Sequence, residues 1–123
     1  MHELSICQSL LFQLAALVAK HDAIGVERIQ VQVGLLAGVE PELLQRAFDV
    51  ARAGSCAAQA LLTIDVMPVV VRCNACDCDS QAVPNRVVCG QCGDYRVRVV
   101  RGDELRLSRV HLQLKPQSLV AIH

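Results

Sequence analysis

Four of the seven cysteines stand in two C-x-x-C pairs, Cys73 with Cys76 and Cys89 with Cys92, with twelve residues between the pairs. A C-x-x-C turn places two thiolates on one tight bend, so two such knuckles predict a tetrahedral four-sulfur site that suits structural Zn(II). Such a site is closed and has no open position for water, which predicts a fold staple and not a hydrolytic centre. A redox dithiol or a set of reduced free cysteines is the alternative interpretation of the same spacing.

The other cysteines carry less information. The first knuckle reads CNACDC, so Cys78 could replace Cys76 as a ligand or exchange with it. Cys7 lies in an apolar helical stretch and Cys56 in an Ala-rich loop, and single cysteines of this kind are predicted to be small buried hydrophobes.

A second set of candidate ligands opens the chain, which begins MHE. The α-amine of Met1, the deprotonated backbone amide of His2 and the His2 imidazole can close two adjacent chelate rings in one plane. Planar nitrogen ligation is what Ni(II) and Cu(II) favour. Taken alone, the pattern also fits a solvated terminal histidine, and the residues leave both interpretations open.

Two helices are predicted before the cysteine pairs. Ser5 with Gln8 fits a capping box, and apolar residues at helical spacing predict a first helix from Ser5 to about Lys20, with MHE just outside it. Pro41 suits the first turn of a second helix, whose apolar stripe continues to Ala51.

Strands are predicted around and after these helices. Apolar and polar residues alternate from Val26 onward and again from Leu62 until Pro68. After the cysteines, YRVRVV and LRLSRVHLQL are strand-like, and the apolar phase of the second run changes between Leu107 and Val110, which predicts a bulge or a change of partner.

Composition excludes several classes of function. Twelve Lys and Arg balance twelve Asp and Glu, so no net field attracts nucleic acid or an anionic membrane. Two Phe, one Tyr and no Trp leave little aromatic surface on which bases could stack. No Ser-His-Asp set, Cys-His pair or phosphate-cradling glycine loop is present, so we predict that the protein is not an enzyme.

Location follows from the apolar segments and the cysteines. The most apolar stretch, LLFQLAALVA, is too short to span a bilayer, and acidic Glu3 precedes it where a signal peptide has basic residues. Cysteines in a metal pattern suit a reducing compartment. We predict a cytoplasmic protein with no membrane partner.

Taken together, these features resemble the HypA/HybF family of nickel metallochaperones, which serve [NiFe]-hydrogenase and, in some organisms, urease. The matching features are the MHELS start, VERIQVQVGLLAGVEPELL, AFDVA, the late paired knuckles and the closing GDELRL. The resemblance extends from the start of the chain to about Leu114.

The resemblance implies roles for particular residues. His2 is similar to the family's essential nickel ligand, with the Met1 amine as co-ligand and Glu3 acting through its backbone or from the second shell. Glu40 is a candidate co-ligand, and the alternative is a carboxylate that serves only the second helix's N-terminus. The four knuckle cysteines are similar to the zinc ligands, so Zn(II) is implied as structural and Ni(II) as transient.

The resemblance also implies a fold. It is α/β, with a small sheet, two helices packed on it and an inserted zinc-ribbon-like module that carries both knuckles. The implied domains are 1–70 with a returning strand at 104–114, the zinc module at 71–103, and a C-terminal tail at 115–123.

The implied partners are a HypB-type GTPase, the [NiFe]-hydrogenase large subunit and, for a urease system, urease maturation proteins. The family includes monomers, dimers and domain-swapped forms, so a homodimer stays open, and no nucleic acid is expected. The alternative is a zinc-ribbon or nucleic-acid interaction module, since seven Arg face five acidic residues between Arg72 and Arg109. His111, near where relatives often carry a glutamate, is either a distal metal ligand or a solvated strand histidine.

Overall fold

The computed structural model describes residues 2–115. Helices and strands alternate along this part of the chain. In order, the elements are α1 (His2–Lys20), β1 (Ala23–Gly34), α2 (Pro41–Ala51), β2 (Leu61–Met67), β3 (Val69–Cys73), β4 (Asp79–Ala82), β5 (Val97–Arg101) and β6 (Leu105–Leu114).

The strands form two three-stranded sheets. One has the order β2-β1-β6 and the other the order β4-β3-β5. In the second sheet β3 pairs antiparallel with both neighbours, and its register with β5 shifts between Val70 and Val71. Two helices, small sheets and a cluster of four cysteines confirm the predicted α/β fold class.

The first helix begins earlier than the capping box at Ser5 predicts. α1 starts at His2, so His2 and Glu3 lie in its first turn and not outside it. An acidic residue in the first turn is favourable because it faces the positive end of the helix dipole. Glu3 also has a partner on the neighbouring helix, described below, which adds a tertiary reason for the helix to extend to this point.

The second helix forms where its pattern predicts. Pro41 occupies the first turn, and Glu40 is the N-cap with extended backbone angles (φ −82°, ψ 117°) but no hydrogen bond from its own side chain to the helix. Leu44 and Phe48 are fully buried along its apolar stripe.

The chain divides into two compact units. The first takes in the chain up to Val31, Glu40–Thr63 and the chain from Leu107 onward, and the second takes in Gln32–Val39 and Ile64–Arg106. The predicted domains, 1–70 with 104–114 and 71–103, concern independent folding and stay a prediction. The predicted tail, apart from Lys115, lies outside the described residues.

Each unit has its own core of aliphatic side chains. The core of the first unit includes Leu10, Leu14, Ile29, Val31, Leu44 and Phe48. The core of the second includes Val33, Val39, Val69, Val71, Cys73 and Cys89. Two of these six residues, Cys73 and Cys89, belong to the cysteine pairs, so the predicted four-sulfur site is part of this core.

The length of α1 corrects one step of the membrane argument. The helix has 19 residues and is long and apolar enough, by length and composition, to cross a membrane, whereas the prediction considered only its ten most apolar residues. Its Cys7, Leu10 and Leu14 are buried, and the Cys7 thiol donates a hydrogen bond to the Leu44 carbonyl oxygen at 3.6 Å. This face therefore packs in the first unit, and the absence of a membrane partner stays a prediction.

Two strands were missing from the predicted set. β2 ends at Met67, just before Pro68, as its pattern predicts. A further strand, β3, begins at Val69, and β4 forms from the polar residues DSQA. In β6 the burial phase changes between Leu107 and Ser108, within the interval where a bulge or a change of partner was predicted.

Candidate metal centre

Four cysteine sulfurs come together at one point in the second unit. The Sγ atoms of Cys73, Cys76, Cys89 and Cys92 all lie within 4.8 Å of one another. Two of the separations, Cys73 to Cys92 and Cys76 to Cys89, are 3.6 Å. Tetrahedral Zn–S bonds of about 2.3 Å separate sulfurs by about 3.8 Å, whereas a disulfide needs about 2.05 Å. The donor set therefore fits a structural zinc ion.

The backbone already supports negative charge on two of the sulfurs. Cys73 Sγ accepts the N–H groups of Ala75 at 3.3 Å and Cys76 at 3.5 Å. Cys89 Sγ accepts those of Gln91 at 3.3 Å and Cys92 at 3.4 Å. Each knuckle therefore aims two backbone N–H donors at the sulfur of its first cysteine, an arrangement that suits a metal-bound thiolate.

The two knuckles repeat one backbone design. In the first, the N–H of Asp77 donates to the Cys73 carbonyl at 3.0 Å, and in the second the N–H of Gly93 donates to the Cys89 carbonyl at 2.9 Å. Asp77 (φ 60°) and Gly93 (φ 78°) both adopt the left-handed conformation that closes the turn. Glycine adopts a positive φ at no steric cost, so Gly93 is visible in the sequence as a turn residue, whereas Asp77 is not, because aspartate only tolerates this conformation.

Cys78 lies outside the cluster. It is exposed, and its thiol donates to the Cys76 carbonyl oxygen at 3.4 Å. Its own carbonyl accepts the N–H of Cys73 at 3.0 Å, as the Asp94 carbonyl accepts the N–H of Cys89 at 2.9 Å. Cys78 in the first knuckle is therefore equivalent to Asp94 in the second.

Proton affinities in the cluster are uneven. The backbone N–H groups of Cys92 and Gln91 lower the pKa of Cys89 to about 6. The hydrogen bond to Cys89 raises the pKa of Cys76, since that thiol keeps its proton beside a thiolate. A divalent cation would displace such protons, because metal-binding cysteines are thiolates.

Ion pairs hold the loops around the knuckles. Arg72 reaches Asp77 at 3.0 Å and Asp79 at 3.1 Å. Arg96 contacts Asp94 at 2.8 Å, and this side-chain bond is the main cause that lowers the pKa of Asp94 to about 2. Two of the seven arginines that suggested a nucleic-acid module are therefore occupied by neighbouring carboxylates.

The amino-terminal candidates lie in the first unit. Met1 is outside the described residues, and His2 is exposed as the first residue of α1. The first four N–H groups of an α-helix have no intrahelical acceptor, so the backbone at His2 and Glu3 needs no rearrangement of the helix to take part in other interactions.

Glu3 joins the start of α1 to the start of α2. Its Oε2 atom accepts the backbone N–H of Glu40 at 3.4 Å. The pKa of Glu3 is lowered, first by its own backbone amide and also by the N–H of Glu40. Because α2 has no side-chain cap of its own, Glu3 supplies negative charge to its N-terminus, and Glu40 comes to lie beside Glu3.

The remaining candidate residues, Cys7, Cys56 and His111, differ in how deeply they are buried. Cys7 is fully buried, and burial raises the pKa of its thiol to about 11, which confirms a small buried hydrophobe. Cys56 is half-buried, less than predicted. His111 is exposed on β6 and lines a cleft with Arg28 and Arg109, whose charges disfavour a divalent cation there.

Comparison with known proteins decides the family. The family model described as "Hydrogenase/urease nickel incorporation, metallochaperone, hypA" matches residues 1–112. The chain belongs to the HypA family. A hydrogenase maturation factor HypA from Nitrosospira multiformis is 39% identical over 112 residues, which cover 91% of this chain and 97% of that protein. One from Shewanella baltica is 34% identical over 113 residues, which cover 92% and 97%.

Solved structures of HypA proteins share the fold. The solution structure of a HypA protein has a TM-score of 0.73 and 26% identity, and the match covers 94% of this chain and 98% of that one. The solution structure of the Ni metallochaperone HypA from Helicobacter pylori has a TM-score of 0.67 and 25% identity, with 92% and 98% covered. Membership of the HypA family makes the protein a nickel metallochaperone of hydrogenase maturation and not a catalyst.

Proposed function

We propose that this protein binds Ni(II) at its amino terminus and carries it to [NiFe]-hydrogenase during maturation of that enzyme. The observation that carries the proposal is the HypA family match, which begins at residue 1 and takes in the MHE segment. The ligands we assign are the Met1 amine, the backbone amide of His2 and the His2 imidazole.

The first turn of α1 supports this assignment. His2 is exposed and can meet a metal ion or a partner without unfolding. The Glu3 carboxylate accepts the backbone N–H of Glu40, which supports a role for Glu3 in holding the start of α1 rather than in binding nickel through its side chain. The same contact supports Glu40, whose side chain is exposed, as a co-ligand.

The zinc ligands we assign are Cys73, Cys76, Cys89 and Cys92. Their closed four-sulfur arrangement supports a structural ion that stays bound while nickel passes through the other site. When bound, zinc would hold the two knuckles together and supply folding free energy to the module. The module, in turn, would contribute no ligand to nickel.

The partners we assign follow from the delivery task. A HypB-type GTPase is the proposed nickel-handling partner and the [NiFe]-hydrogenase large subunit the proposed acceptor. Because the family description covers urease, urease maturation proteins are the alternative acceptors. No cysteine among the described residues forms a disulfide, which supports the cytoplasm as the location.

The decisive experiment is a nickel titration of zinc-loaded protein with a native, untagged amino terminus beside a version with one glycine added before Met1. The extension converts the Met1 amine into an amide and shifts the chelate by one residue, so we expect a large loss of affinity. Mass spectrometry must show that Met1 is retained in the native protein.

A version with one glycine added after His123 is the matched control and should bind nickel like the native protein. Equal affinity in the two amino-terminal forms would contradict the chelate. Because each nitrogen ligand must lose a proton, we also expect nickel affinity to fall as the pH is lowered.

A further inference from the structure

A concave polar site lies on the sheet of the first unit, and none of its lining residues is assigned to either metal centre. It is a cleft of about 260 Å³ lined by Arg28, Ile29, Gln30, Thr63, Arg109 and His111, here called the arginine cleft. These residues come from β1, β2 and β6, and the sheet order β2-β1-β6 places the β1 residues between those of the other two strands.

The positive charge in the arginine cleft has no counter-charge on its walls. No carboxylate lines it. Within residues 2–115, neither Arg28 nor Arg109 takes part in an ion pair, whereas Arg52, Arg72 and Arg96 all do. Two guanidinium groups on adjacent strands repel each other, and an anion between them would relieve that repulsion.

The other lining groups suit an oxyanion. The Thr63 hydroxyl, the Gln30 amide and an N–H of the His111 imidazole are all donors. Guanidinium groups offer paired N–H donors that match phosphate or carboxylate oxygens. Strand positions fix the Cα atoms of these residues, and the exposed side chains of Arg28, Arg109 and His111 are free to turn toward an anion.

The volume of the cleft limits the size of its ligand. Sites for drug-sized ligands usually enclose about 300–1,000 Å³, so about 260 Å³ suits a compact group better than a whole nucleotide. A tetrahedral oxyanion has enough acceptors to use three or more donors that converge from different strands.

We propose that the arginine cleft binds a phosphate-type oxyanion, carried by inorganic phosphate or by a phosphate monoester. Arg28 and Arg109 hold the anion, and Thr63 and His111 complete its hydrogen bonds. The site is independent of the nickel ligands and would be present in the nickel-free protein.

The test is a titration of zinc-loaded, full-length protein with inorganic phosphate, followed by amide NMR shifts at constant ionic strength. We expect saturable shifts in β1 and β6. Arg28→Gln and Arg109→Gln should each weaken binding by about tenfold or more, since each removes a charge-assisted hydrogen bond. Arg106→Gln removes an exposed arginine of β6 that does not line the cleft and should change nothing.

Further arms distinguish the sources of the anion and test its shape. Equal binding of phosphate and adenosine monophosphate supports free phosphate as sufficient, and tighter binding of the nucleotide supports a monoester. Acetate that binds as tightly as phosphate would overturn the tetrahedral assignment. Shifts that fail to saturate, or that persist in Arg28→Gln with Arg109→Gln, would overturn the site.

Two controls keep the result interpretable. Arg28→Lys and Arg109→Lys retain the charge and should retain part of the affinity, which guards against a folding defect in the glutamine variants. His2→Ala should bind phosphate like the native protein, so failure of the nickel proposal would leave this one testable.

Discussion

The four-cysteine cluster is held by its own backbone, whereas the amino-terminal segment leaves its histidine in solvent. In the cluster, four backbone N–H groups already point at sulfur, and the sulfurs lie at the separation that zinc requires. At the amino terminus, His2 is exposed and the neighbouring carboxylate of Glu3 is engaged by the backbone of Glu40.

The electrostatic surroundings of the two sites also favour tighter binding of a cation at the cysteine cluster than at the amino terminus. The cluster gathers four potential thiolates, which attract a divalent cation strongly. His2 and Glu3 lie in the first turn of α1, close to the N-terminus of α2, and the positive ends of the two helix dipoles disfavour a cation there. Glu3, Glu40 and Glu42 offset that field at the two helix starts. A structural zinc ion has to stay bound and a nickel cargo has to be released, so the two sites would need this difference in affinity.

The largest expected effect comes from removing one cluster cysteine. Cys92→Ser should abolish zinc retention and unfold the region around the knuckles, because structural zinc supplies about 10–16 kcal/mol of binding free energy to such modules. Zinc content by elemental analysis and amide NMR dispersion of residues 71–103 would measure this.

The exposure of Cys92 makes the experiment specific, since serine there loses little burial. Cys56→Ser is the control: it changes a half-buried cysteine outside the cluster and should keep its zinc. A Cys92→Ser protein that retains zinc and its NMR dispersion would remove the cluster from its structural role.

The second largest effect is expected for a substitution of His2, which should change nickel affinity and leave the stability of the fold unchanged. His2→Ala is expected to lower nickel affinity by more than about 100-fold, since even outer-shell partners of metal ligands contribute about 10- to 100-fold. The thermal unfolding midpoint should stay unchanged because His2 is exposed. Nickel calorimetry and a melting curve on the same sample test both halves, and a lowered midpoint would mean that His2 is structural.

The knuckles and α2 were predictable because their signals are local. A C-x-x-C pair and a proline at the first helical turn determine geometry within a few residues. β4 was not predictable in this way, since DSQA has no apolar period and becomes a strand by pairing with β3 in register, Val70 opposite Gln81.

The arginine cleft could not be predicted for the same reason. Its two arginines are 81 positions apart, and only the sheet order brings their strands together. The start of α1 was mispredicted because Ser5 and Gln8 fit a capping box, while the contact that supports an earlier start joins Glu3 to Glu40, far along the chain.

Glu3 permits a sharper test of how the nickel segment is held. Glu3→Gln should lower nickel affinity by about tenfold, since it weakens the tie to α2 that fixes the MHE segment. Glu42→Gln is the matched control, because it removes the same charge from the first turn of α2 without touching the Glu3 contact. If both variants lose affinity equally, the effect is long-range electrostatics and Glu3 does not position the segment.

The smallest effect is expected at Cys78, although it is a fifth thiol beside four thiolates. Cys78 and Asp94 occupy equivalent positions in the two knuckles. The carbonyl oxygen of each accepts a hydrogen bond from the backbone N–H of the cysteine five residues earlier. Any residue can supply that carbonyl, so Cys78→Ser should leave zinc affinity within about twofold, whereas Cys76→Ser should lose the ion. Competition with a chromophoric chelator measures both variants. If Cys78→Ser released zinc while Cys76→Ser kept it, Cys78 and not Cys76 would be the zinc ligand of the first knuckle. The two knuckles would then bind zinc through residues at different positions.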